Sequence, residues 1–375
     1  MSEAAPSFGG MRVAIVHEKL TVLAGSEKVV EQVHLVFPGA PIFTTVHDPD
    51  VSRPILADAD IRTSPLQHLY RGGDSYAHLL PLLPWAMSHL DLRAFDLVIT
   101  SHHAFANRIR PPRSTRVVSY THTPARWMWD PAALTREIGG RVGRAALTAF
   151  AATQRRADRA AAARLTGVIA NSHEVAARVR SWWRRDSSVV WPPVDTSYYT
   201  LDDRSPREDF FLVAGRLVPY KHPEIAVAAA RDAGVRLVVA GDGRARRACE
   251  AVAGPRTELL GHVDDATLRD LYRRCTALLY PGKEDFGIIP VEAQACGAPV
   301  IALRAGGALD SVVDGMTGCL YEVEPGGDHV TKLASLLRRF DGSVFDPAAL
   351  RRHAEQFAPD RFRSELATAV AGLLG

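Results

Sequence analysis

Short apolar runs alternate with helix-length segments along the second half of the chain. The runs typical of strands lie at 210–214, 236–240, 257–260, 276–280, 299–302 and 318–321. Repeated strand–helix units predict a parallel sheet covered by helices on both faces. The second half is therefore predicted to form a Rossmann-like α/β domain.

The first half shows the same alternation less regularly. Its strand-like runs lie at 12–17, 96–100, 116–120 and 167–170. A helix is predicted from about Ser26, whose hydroxyl is a suitable N-terminal cap, and a long helix rich in alanine and arginine is predicted over 141–165. We interpret this half as another Rossmann-like domain.

A stretch rich in prolines, turn formers and acids, 191–209, separates the halves and is typical of a linker. The predicted division is a disordered lead-in at 1–10, an N-terminal Rossmann-like domain at 11–195, a C-terminal one at 205–360, and a final helix at 361–375 that packs back on the first domain. Open parallel sheets bind ligands beyond the carboxyl ends of their strands. Two such domains therefore predict a ligand-binding cleft between them.

Composition narrows the class of protein. The 375 residues are 47% hydrophobic and 23% charged with a net charge of +3, which is typical of a soluble globular protein and gives no support for nucleic-acid binding. The apolar stretch 77–90 is short and contains Pro81 and Pro84, so no membrane span is predicted. The first ten residues lack the features of a signal peptide. Four cysteines without a C-x-x-C pair favour reduced thiols in the cytoplasm over a zinc site or disulfides.

Two glutamates flank an apolar run in GKEDFGIIPVEAQACG, residues 282–297. Pro290 suits a first helical turn and Gly297 suits the residue after a helix, so a helix is predicted over about 288–296. Glu284 then lies in the preceding loop, and Glu292 lies one turn inside the helix.

Both acids would flank one helix N-terminus, where the backbone dipole favours an anion. The N–H groups of Phe286, Gly287 and Ile288 would point out of that end. One interpretation is a phosphate bound between two acids that hold hydroxyl groups. The structural alternative is that Glu284 caps the helix and Glu292 pairs with an arginine.

A second candidate site is the loop GRLVPYKHP, residues 215–223, which follows the strand FFLVA. Arg216 and Lys221 lie there at the strand edge where ligands bind, and two fixed cations are well placed to hold a diphosphate. Lysine is scarce, with five residues against forty arginines, which favours a specific role for Lys221. A solvated loop charge remains the alternative.

Three further patterns are less specific. Two segments resemble part of a dinucleotide fingerprint, AGDG at 240–243 and Ala24-Gly25-Ser26-Glu27. Both lack its third glycine, so ordinary turns explain them equally well. Gly25 would nevertheless let a backbone N–H approach a ligand closely. The D-x-D pairs at 48–50 and 58–60 do not end a confident strand, and turn chemistry is the better explanation than a magnesium site.

Polar and aromatic side chains follow the strand at 116–120, and their mixture suits a sugar. They are His122, Arg126, Trp127 and Trp129. A lone histidine is more often a packing residue, and the same applies to His102 and His103. The arginines and tryptophans at 178–185 suit anionic lipid headgroups, with an ordinary amphipathic helix end as the alternative.

Together these segments resemble glycosyltransferase family 4, the retaining glycosyltransferases of the GT-B fold. The most specific part is the E-x7-E signature from Glu284 to Glu292, continued by APVIALRAGGALDSVVDGMTG, and GRLVPYK is the next. The first half is similar to bacterial mannosyltransferases that build surface polysaccharides from GDP-mannose, through VHEKLTVLAGSEKVVE, SYTHTPARWMWD and NSHEVAARVR leading to WPPVD. One departure is Ala24-Gly25, where that family commonly has two glycines.

The resemblance implies a role for each candidate residue. Arg216 and Lys221 would bind the donor diphosphate, Glu284 would hold sugar hydroxyls, and Glu292 would hold the ribose. His122 would meet the donor sugar. Donor contacts are also implied at Gly25, Gly215, Phe286, Gly287 and Ile288.

The implied reaction is retaining transfer of a sugar, most of all mannose from GDP-mannose, to a hydroxyl of a glycan or of a polyprenyl-diphosphate-linked acceptor. Neither a metal nor another cofactor is expected, because Arg216 and Lys221 would neutralise the charge that builds on the leaving diphosphate. The two glutamates would hold ligand groups and would not form the acid–base pair of a hydrolase.

Other functions stay open on the sequence. The same transfer could use a UDP-sugar, a GT-B nucleotide-sugar epimerase would also bind a diphosphate, and a catalytically silent subunit would keep only binding. The missing fingerprint disfavours an NAD-dependent dehydrogenase. We expect a cytoplasmic enzyme with no nucleic-acid partner, and peripheral contact with the inner face of the cell membrane stays open.

Overall fold

The computed structural model describes residues 8–130, 141–202, 204 and 206–375. Most of the lead-in predicted at 1–10 therefore lies outside the described residues. The chain divides into two compact units, which we call the first and second units. The first unit is Met1–Pro193 with Asp360–Gly375, and the second unit is Val194–Pro359.

The first unit is built on a seven-stranded sheet in which every pairing is parallel. Its strands are β1 (Val13–His17), β2 (Ile42–Thr44), β3 (Ile61–Thr63), β4 (Leu97–His102), β5 (Arg116–Thr121), β6 (Gly167–Ala170) and β7 (Ser188–Val189). They are ordered β3-β2-β1-β4-β5-β6-β7 across the sheet. The central strands are apolar because helices cover both faces of a parallel sheet.

Helices of the first unit connect these strands. They are Gly25–Val36, Pro49–Leu56, Leu83–Ser88, Arg126–Trp129, Arg141–Ala162, His173–Arg178 and Pro359–Leu374, with 3₁₀ helices at Pro65–Leu69, Gly73–Leu82 and Ala106–Arg108 and a π-helical turn at Val179–Trp183. No helix in the described part of the chain is both long enough and apolar enough to cross a membrane.

The final helix, Pro359–Leu374, returns to the first unit, as predicted. Phe362, Leu366 and Val370 are spaced four residues apart, so they share one helix face. That face is buried in the apolar cluster that contains Ile15 of β1. The contact explains why the end of the chain belongs to the unit formed by its beginning.

The second unit has a six-stranded sheet that is also entirely parallel. Its strands are β8 (Phe211–Ala214), β9 (Leu237–Ala240), β10 (Thr257–Gly261), β11 (Ala277–Tyr280), β12 (Val300–Leu303) and β13 (Gly318–Tyr321), in the order β10-β9-β8-β11-β12-β13. Its helices are Pro223–Ala233, Arg246–Val252, Asp265–Arg274, Ile288–Ala295, Ala308–Ser311, His329–Leu337 and Pro347–Ala354, with 3₁₀ helices at Pro219–Lys221, Gly342–Val344 and Glu355–Phe357.

In each sheet, the order in which successive strands are added reverses at one point. In the first unit β1 neighbours β4, and in the second unit β8 neighbours β11, so the loops that follow these strands leave on opposite sides of a crevice. Such a switch point is where an open α/β sheet binds its ligands. The strand order therefore marks one candidate position in each unit.

Comparison with the predicted elements shows what local pattern misses. All ten predicted strands are present, whereas β2, β3 and β7 were not predicted, because runs of two or three residues are too short to show alternation. The prediction that Ser26 caps the first helix is wrong. That helix begins at Gly25, and the Glu27 carboxylate accepts a hydrogen bond from the Ala24 N–H at 3.0 Å.

Candidate functional site

The two loops at the switch point of the second unit bring Lys221 and Glu284 together. Lys221 ends the short 3₁₀ helix after β8, and Glu284 lies in the loop after β11. Lys221 Nζ lies 3.0 Å from Glu284 Oε1, and the side chains are only 19% and 13% exposed. A half-enclosed ion pair at this position is poorly screened by water.

Three glycines allow these loops to approach so closely. A Cβ atom at Gly282 would lie 2.6 Å from the Cα of Lys221, and one at Gly307 would lie 2.1 Å from the Cα of Phe286. The Gly307 N–H also donates to the Glu284 carbonyl at 2.9 Å. A Cβ at Gly306 would lie 2.4 Å from the same carbonyl oxygen. The Gly-Gly pair after β12 thus supports the Glu284 loop, a role that we did not predict.

Glycines of the AGDG segment support the other loop. A Cβ at Gly241 would lie 1.9 Å from the Gly215 carbonyl oxygen, and one at Gly243 would lie 2.3 Å from the Leu217 carbonyl oxygen. The Leu217 N–H donates to the Asp242 carbonyl at 2.8 Å. The turn interpretation of AGDG is therefore sufficient, since its glycines make room for the backbone of the Gly215 loop.

Arg216 and Lys221, predicted as a pair, have different surroundings. Arg216 lies in the same loop, but its side chain is exposed, and it forms no ion pair with any described residue. Its guanidinium is free to reach an anionic ligand, whereas Lys221 is already held by Glu284.

The helix Ile288–Ala295 matches the predicted helix to within one residue. Gly287 precedes it with φ 86°, a backbone conformation that favours glycine, and a Cβ there would lie 2.1 Å from the Tyr280 hydroxyl oxygen. The N-cap residue Gly287 has no side chain, and the Glu284 carboxylate pairs with Lys221, so the alternative that Glu284 is the cap is wrong. The N–H groups of its first turn lack intrahelical partners, which keeps them available to an anion.

Glu292 is buried inside this helix, with 8% of its surface exposed. Its Oε2 accepts a hydrogen bond from the hydroxyl of Tyr272 at 3.1 Å. Burial, followed by the charge of Glu292, raises the pKa of Tyr272 well above its usual value, so the phenol stays protonated and remains a donor. Tyr272 comes from the helix Asp265–Arg274 and was not predicted.

A buried polar network occupies the switch point of the first unit. The Ser101 hydroxyl lies 3.0 Å from His17 Nδ1 and 2.8 Å from His122 Nε2, and His17 Nε2 lies 3.3 Å from Glu27 Oε1. These residues come from the ends of β1 and β4, the residue after β5, and the first helix. The prediction singled out His122 alone, because nothing local indicates that the other three converge on it.

Glu18 anchors the neighbouring loop. Its carboxylate accepts hydrogen bonds from the backbone N–H groups of residues 103 to 106. Burial by itself would raise its pKa, but the attraction of His103 and His102 and the N–H donors hold the pKa at about 2. This residue therefore carries a charge at neutral pH, and nine-tenths or more of its surface is buried.

His122 and His102 are neutral at neutral pH. Burial lowers the pKa of His122 to about 3 and that of His102 to about 4. For Glu27, burial opposes ionisation, but the hydrogen bond and charge of His17 and the Ser26 hydroxyl lower the pKa to about 2. The site thus combines ionised carboxylates with uncharged imidazoles, which can donate or accept hydrogen bonds without adding charge. Gly25, another predicted contact, begins the helix that carries Glu27.

The predicted sugar-binding cluster of His122 with Trp127 and Trp129 is wrong in its aromatic part. Trp127 stacks on Phe150 with ring centroids 5.9 Å apart, and Trp129 stacks on Trp182 at 6.1 Å. Both indoles pack against the apolar core of the first unit. Their faces are therefore occupied by protein.

The lipid interpretation of 178–185 is also wrong for its tryptophans. Trp183 is 2% exposed and donates its indole N–H to Asp158 at 2.7 Å. Trp129 donates to the same carboxylate oxygen at 2.8 Å, and Trp182 is covered by its stacking partner. The tryptophan-rich segment is thus a packing element of the first unit.

Asp48 and Asp60 of the D-x-D pairs have protein partners. Asp48 caps the helix Pro49–Leu56 and accepts from the Asp50 N–H at 3.1 Å. Asp60 pairs with Arg62 at 2.6 Å. Within the described residues, no group of three or more His, Cys, Asp or Glu side chains is placed to hold a metal ion.

Solved structures define the class of fold. The chain is similar to Anabaena Alr3699/HepE in complex with UDP-glucose, with a TM-score of 0.68 at 17% identity over 96% of this chain and 99% of that one. It is also similar to sucrose-phosphate synthase from Thermosynechococcus elongatus, with a TM-score of 0.62 at 16% identity over 96% of both chains. The protein has the GT-B fold, with two Rossmann-like α/β domains.

Sequence comparisons match part of the chain to known glycosyltransferases. Residues 203–339 match the family described as Glycosyl transferases group 1. The D-inositol 3-phosphate glycosyltransferase of Mycobacterium sp. (strain KMS) is 35% identical over 191 residues, or 45% of this chain and 42% of that protein. Its counterpart in Mycobacterium bovis (strain BCG / Pasteur 1173P2) is 34% identical over 218 residues, or 51% and 45%. The matches span less than half the length of these curated relatives.

Proposed function

We propose that the protein is a retaining glycosyltransferase that moves a sugar from a nucleotide-sugar donor to an acceptor hydroxyl without a metal ion. The observation that carries this proposal is the ion pair between Lys221 and Glu284 in the loops that precede the helix Ile288–Ala295, whose N-cap residue is glycine. This arrangement lies at the switch point of the second unit and within the residues that match the group 1 family.

The donor diphosphate would be held by Lys221 and Arg216. Lys221 is preorganised by Glu284, and the exposed Arg216 would close on the diphosphate from the same loop. The N–H groups at Gly287 and Ile288 would add donors aimed at an anion. Fixed cations of this kind stabilise charge that builds on a leaving group more effectively than water does.

The two glutamates would bind hydroxyl groups on either side of that diphosphate. Glu284 keeps one carboxylate oxygen on Lys221 and would accept from the sugar with the other. Glu292, oriented by Tyr272, would accept from the ribose. A charge-assisted hydrogen bond to each hydroxyl fixes the donor in one orientation. A fixed orientation favours attack by the acceptor hydroxyl over attack by water.

The first unit would meet the transferred sugar through His122. Because its pKa is lowered to about 3, the imidazole is neutral and can hydrogen-bond to a hydroxyl without competing for the diphosphate. Ser101 and His17 would fix its orientation. In the proposed reaction the acceptor hydroxyl attacks from the leaving-group side, which retains the configuration, and the departing phosphate oxygen takes the acceptor proton.

We propose GDP-mannose as the donor, on the resemblance of the first half to mannosyltransferases, and a glycan or polyprenyl-diphosphate-linked acceptor. A UDP-sugar is the second candidate, favoured by the similarity to a structure that contains UDP-glucose. The similarity to D-inositol 3-phosphate glycosyltransferases supports sugar transfer without favouring either base.

A thermal-shift screen of nucleotide sugars tests the donor. A ligand at about 100 times its dissociation constant adds about 2.7 kcal/mol to the free energy of unfolding. We expect a larger shift with GDP-mannose than with UDP-glucose, and the reverse order would establish the UDP alternative.

A turnover assay tests the reaction class. Nucleoside diphosphate should be released together with glycoside formation only when an acceptor is present, and addition of EDTA should leave the rate unchanged. Sugar isomerisation without acceptor would instead identify an epimerase, and loss of activity with EDTA would overturn the metal-independent mechanism.

A further inference from the structure

A cavity of about 560 Å³ lies in the first unit, near the beginning of β5. It is bounded by the loop that leads from β4 to β5 and by the residues after the helix Arg141–Ala162. Thr115 and Val117, at the beginning of β5, line it, whereas His122 follows the last residue of that strand. β5 has six residues at about 3.3 Å each, which places its beginning about 20 Å from His122, whereas Asn107 reaches from the cavity to Thr100 and His102 beside the network.

Three arginines line this cavity: Arg110, Arg113 and Arg164. All three residues are exposed. Their side chains form no ion pair with any carboxylate in the part of the chain that the structure describes. Arg164 Nη1 donates to the Ala160 carbonyl at 3.2 Å, which places it at the end of a helix where a cation is favoured. Three guanidinium groups around one opening create a positive potential without an internal counter-charge.

A fourth arginine, Arg108, is affected by the charges of two cavity arginines. Arg108 is buried and donates to the Gln154 side chain at 2.6 Å. Burial lowers its pKa, the nearby carboxylate of Asp158 opposes that effect, and repulsion from Arg164 and Arg110 adds to it. The positive charges at the cavity are therefore close enough to affect one another.

Asn107 supplies an independent observation. This residue lines the cavity and is 2% exposed. Its Oδ1 accepts a hydrogen bond from the Thr100 hydroxyl at 2.6 Å, but its buried Nδ2 has no partner among the described residues. A buried donor without an acceptor costs free energy, and the oxygen of an anionic ligand would supply that acceptor.

The remaining wall is apolar and rigid. It is formed by Ile109, Pro111, Pro112, Ala161 and Leu165. A bare inorganic ion would leave this surface uncovered, whereas a phosphate attached to a carbon skeleton would contact it. The lining thus combines a set of anion donors with an apolar wall.

We propose that this cavity is a second binding site, which takes a phosphate ester. Its phosphate is bound by Arg110, Arg113 and Arg164, whose planar guanidinium groups match phosphate oxygens in pairs, and its carbon skeleton lies against the proline wall. The ester comes either from a small soluble molecule or from an anionic lipid headgroup. This site is independent of the donor site in the second unit.

The test uses the full-length protein at 0.15 M salt, where weak surface attraction is screened. Glycerol 3-phosphate is the soluble probe, titrated by calorimetry, and vesicles of phosphatidylcholine with or without phosphatidylglycerol are the lipid probe, followed by co-sedimentation. The test variant is Arg110→Gln/Arg164→Gln. Arg156→Gln is the matched control, because Arg156 is an exposed residue of the helix Arg141–Ala162, which ends just before Arg164, and it does not line the cavity.

We expect saturable binding of at least one probe, with a dissociation constant that rises tenfold or more in the double variant and stays unchanged in the control. If glycerol 3-phosphate alone binds, the site takes soluble esters. If the protein sediments with vesicles that contain phosphatidylglycerol and the double variant does not, the site takes a lipid headgroup. Absence of binding by both probes, or equal loss in Arg156→Gln, would overturn the proposal.

Two readouts separate this result from other failures. The thermal unfolding temperature of the double variant should equal that of the wild type, because both arginines are exposed and outside the apolar core. Nucleotide-sugar binding should also be unchanged, since no residue assigned to the donor is altered in the double variant. A failed donor assay therefore leaves the phosphate-site result interpretable.

Discussion

Lys221 Nζ and Glu284 Oε1 lie 3.0 Å apart, although the two residues come from different loops of the second unit. The pairing requires the strand order in which β8 neighbours β11, because only that order places the two loops on either side of one crevice. It also requires glycine at 282, where any side chain would collide with the backbone of Lys221.

Replacement of Lys221 by alanine should lower donor turnover about tenfold or more. The change removes a charge-assisted hydrogen bond, worth about 1.5–3 kcal/mol, from the diphosphate. The rate of nucleoside diphosphate release with acceptor present measures it. Lys332→Ala is the matched control, because Lys332 is exposed on the helix His329–Leu337. Equal rates in the two variants would contradict the diphosphate role.

Glu284→Ala should lower sugar transfer while leaving the affinity for free nucleoside diphosphate nearly intact, because the carboxylate is assigned to the sugar. Calorimetric titration with GDP and with UDP, beside the transfer assay, separates the two effects. A collapse of nucleotide affinity would mean that Glu284 acts mainly by positioning Lys221, and the double variant Lys221→Ala/Glu284→Ala would then be no worse than Lys221→Ala alone.

Tyr272→Phe should destabilise the second unit by about 1.5–3 kcal/mol, because it removes the donor from the buried carboxylate of Glu292 and leaves the ring in place. Urea unfolding monitored by circular dichroism measures the loss. The matched control is Tyr198→Phe, which deletes a hydroxyl from a half-buried tyrosine near the same helix. A loss below that of the control would show that Glu292 does not depend on this hydrogen bond.

Gly307→Ala should disturb the Glu284 loop and lower both stability and turnover. The new Cβ would lie 2.1 Å from the Cα of Phe286, and overpacking of this kind costs about 1–3 kcal/mol. Gly372→Ala is the control, since it adds the same methyl group in a helix with no atom within 4 Å. The free energy of unfolding and the turnover should both fall in Gly307→Ala. Neither should fall in Gly372→Ala.

Stability should fall as the pH drops from about 6.5 towards 4. His122 and His102 are neutral in the folded protein until about pH 3 and 4, whereas the unfolded chain takes up their protons near pH 6.5. Each therefore contributes a slope of up to about 1.4 kcal/mol per pH unit in that window. Glu18, whose pKa is lowered from 4.5 to about 2, adds a loss in the same direction below about pH 4.5.

Urea unfolding at pH 7, 6 and 5 measures this slope. In His122→Asn the slope should decrease by about one proton, because one of the buried neutral imidazoles is gone. The same slope in the variant and the wild type would show that His122 is not held neutral by the fold.

The alternation of apolar strands and helices was strong enough to predict both parallel sheets. The return of the final helix was expected, but no local pattern shows it, because it depends on contact with the apolar cluster around β1. Long strands are readable because each is buried on both faces, so the whole segment must be apolar. The short strand β7 carries too few residues for any pattern, and its existence depends on pairing with β6. The same local patterns predicted that Lys221 and Glu284 lie in loops that follow strands.

The sequence by itself determined which residues lie at the carboxyl ends of strands, since that position follows from local periodicity. Tertiary structure decided what each side chain meets there. Lys221 contacts Glu284 while Arg216 stays exposed, and Trp183 lies in the core on Asp158. The reason is physical: burial and hydrogen bonding are set by segments distant in the chain, which pack close to a residue only once the fold is formed.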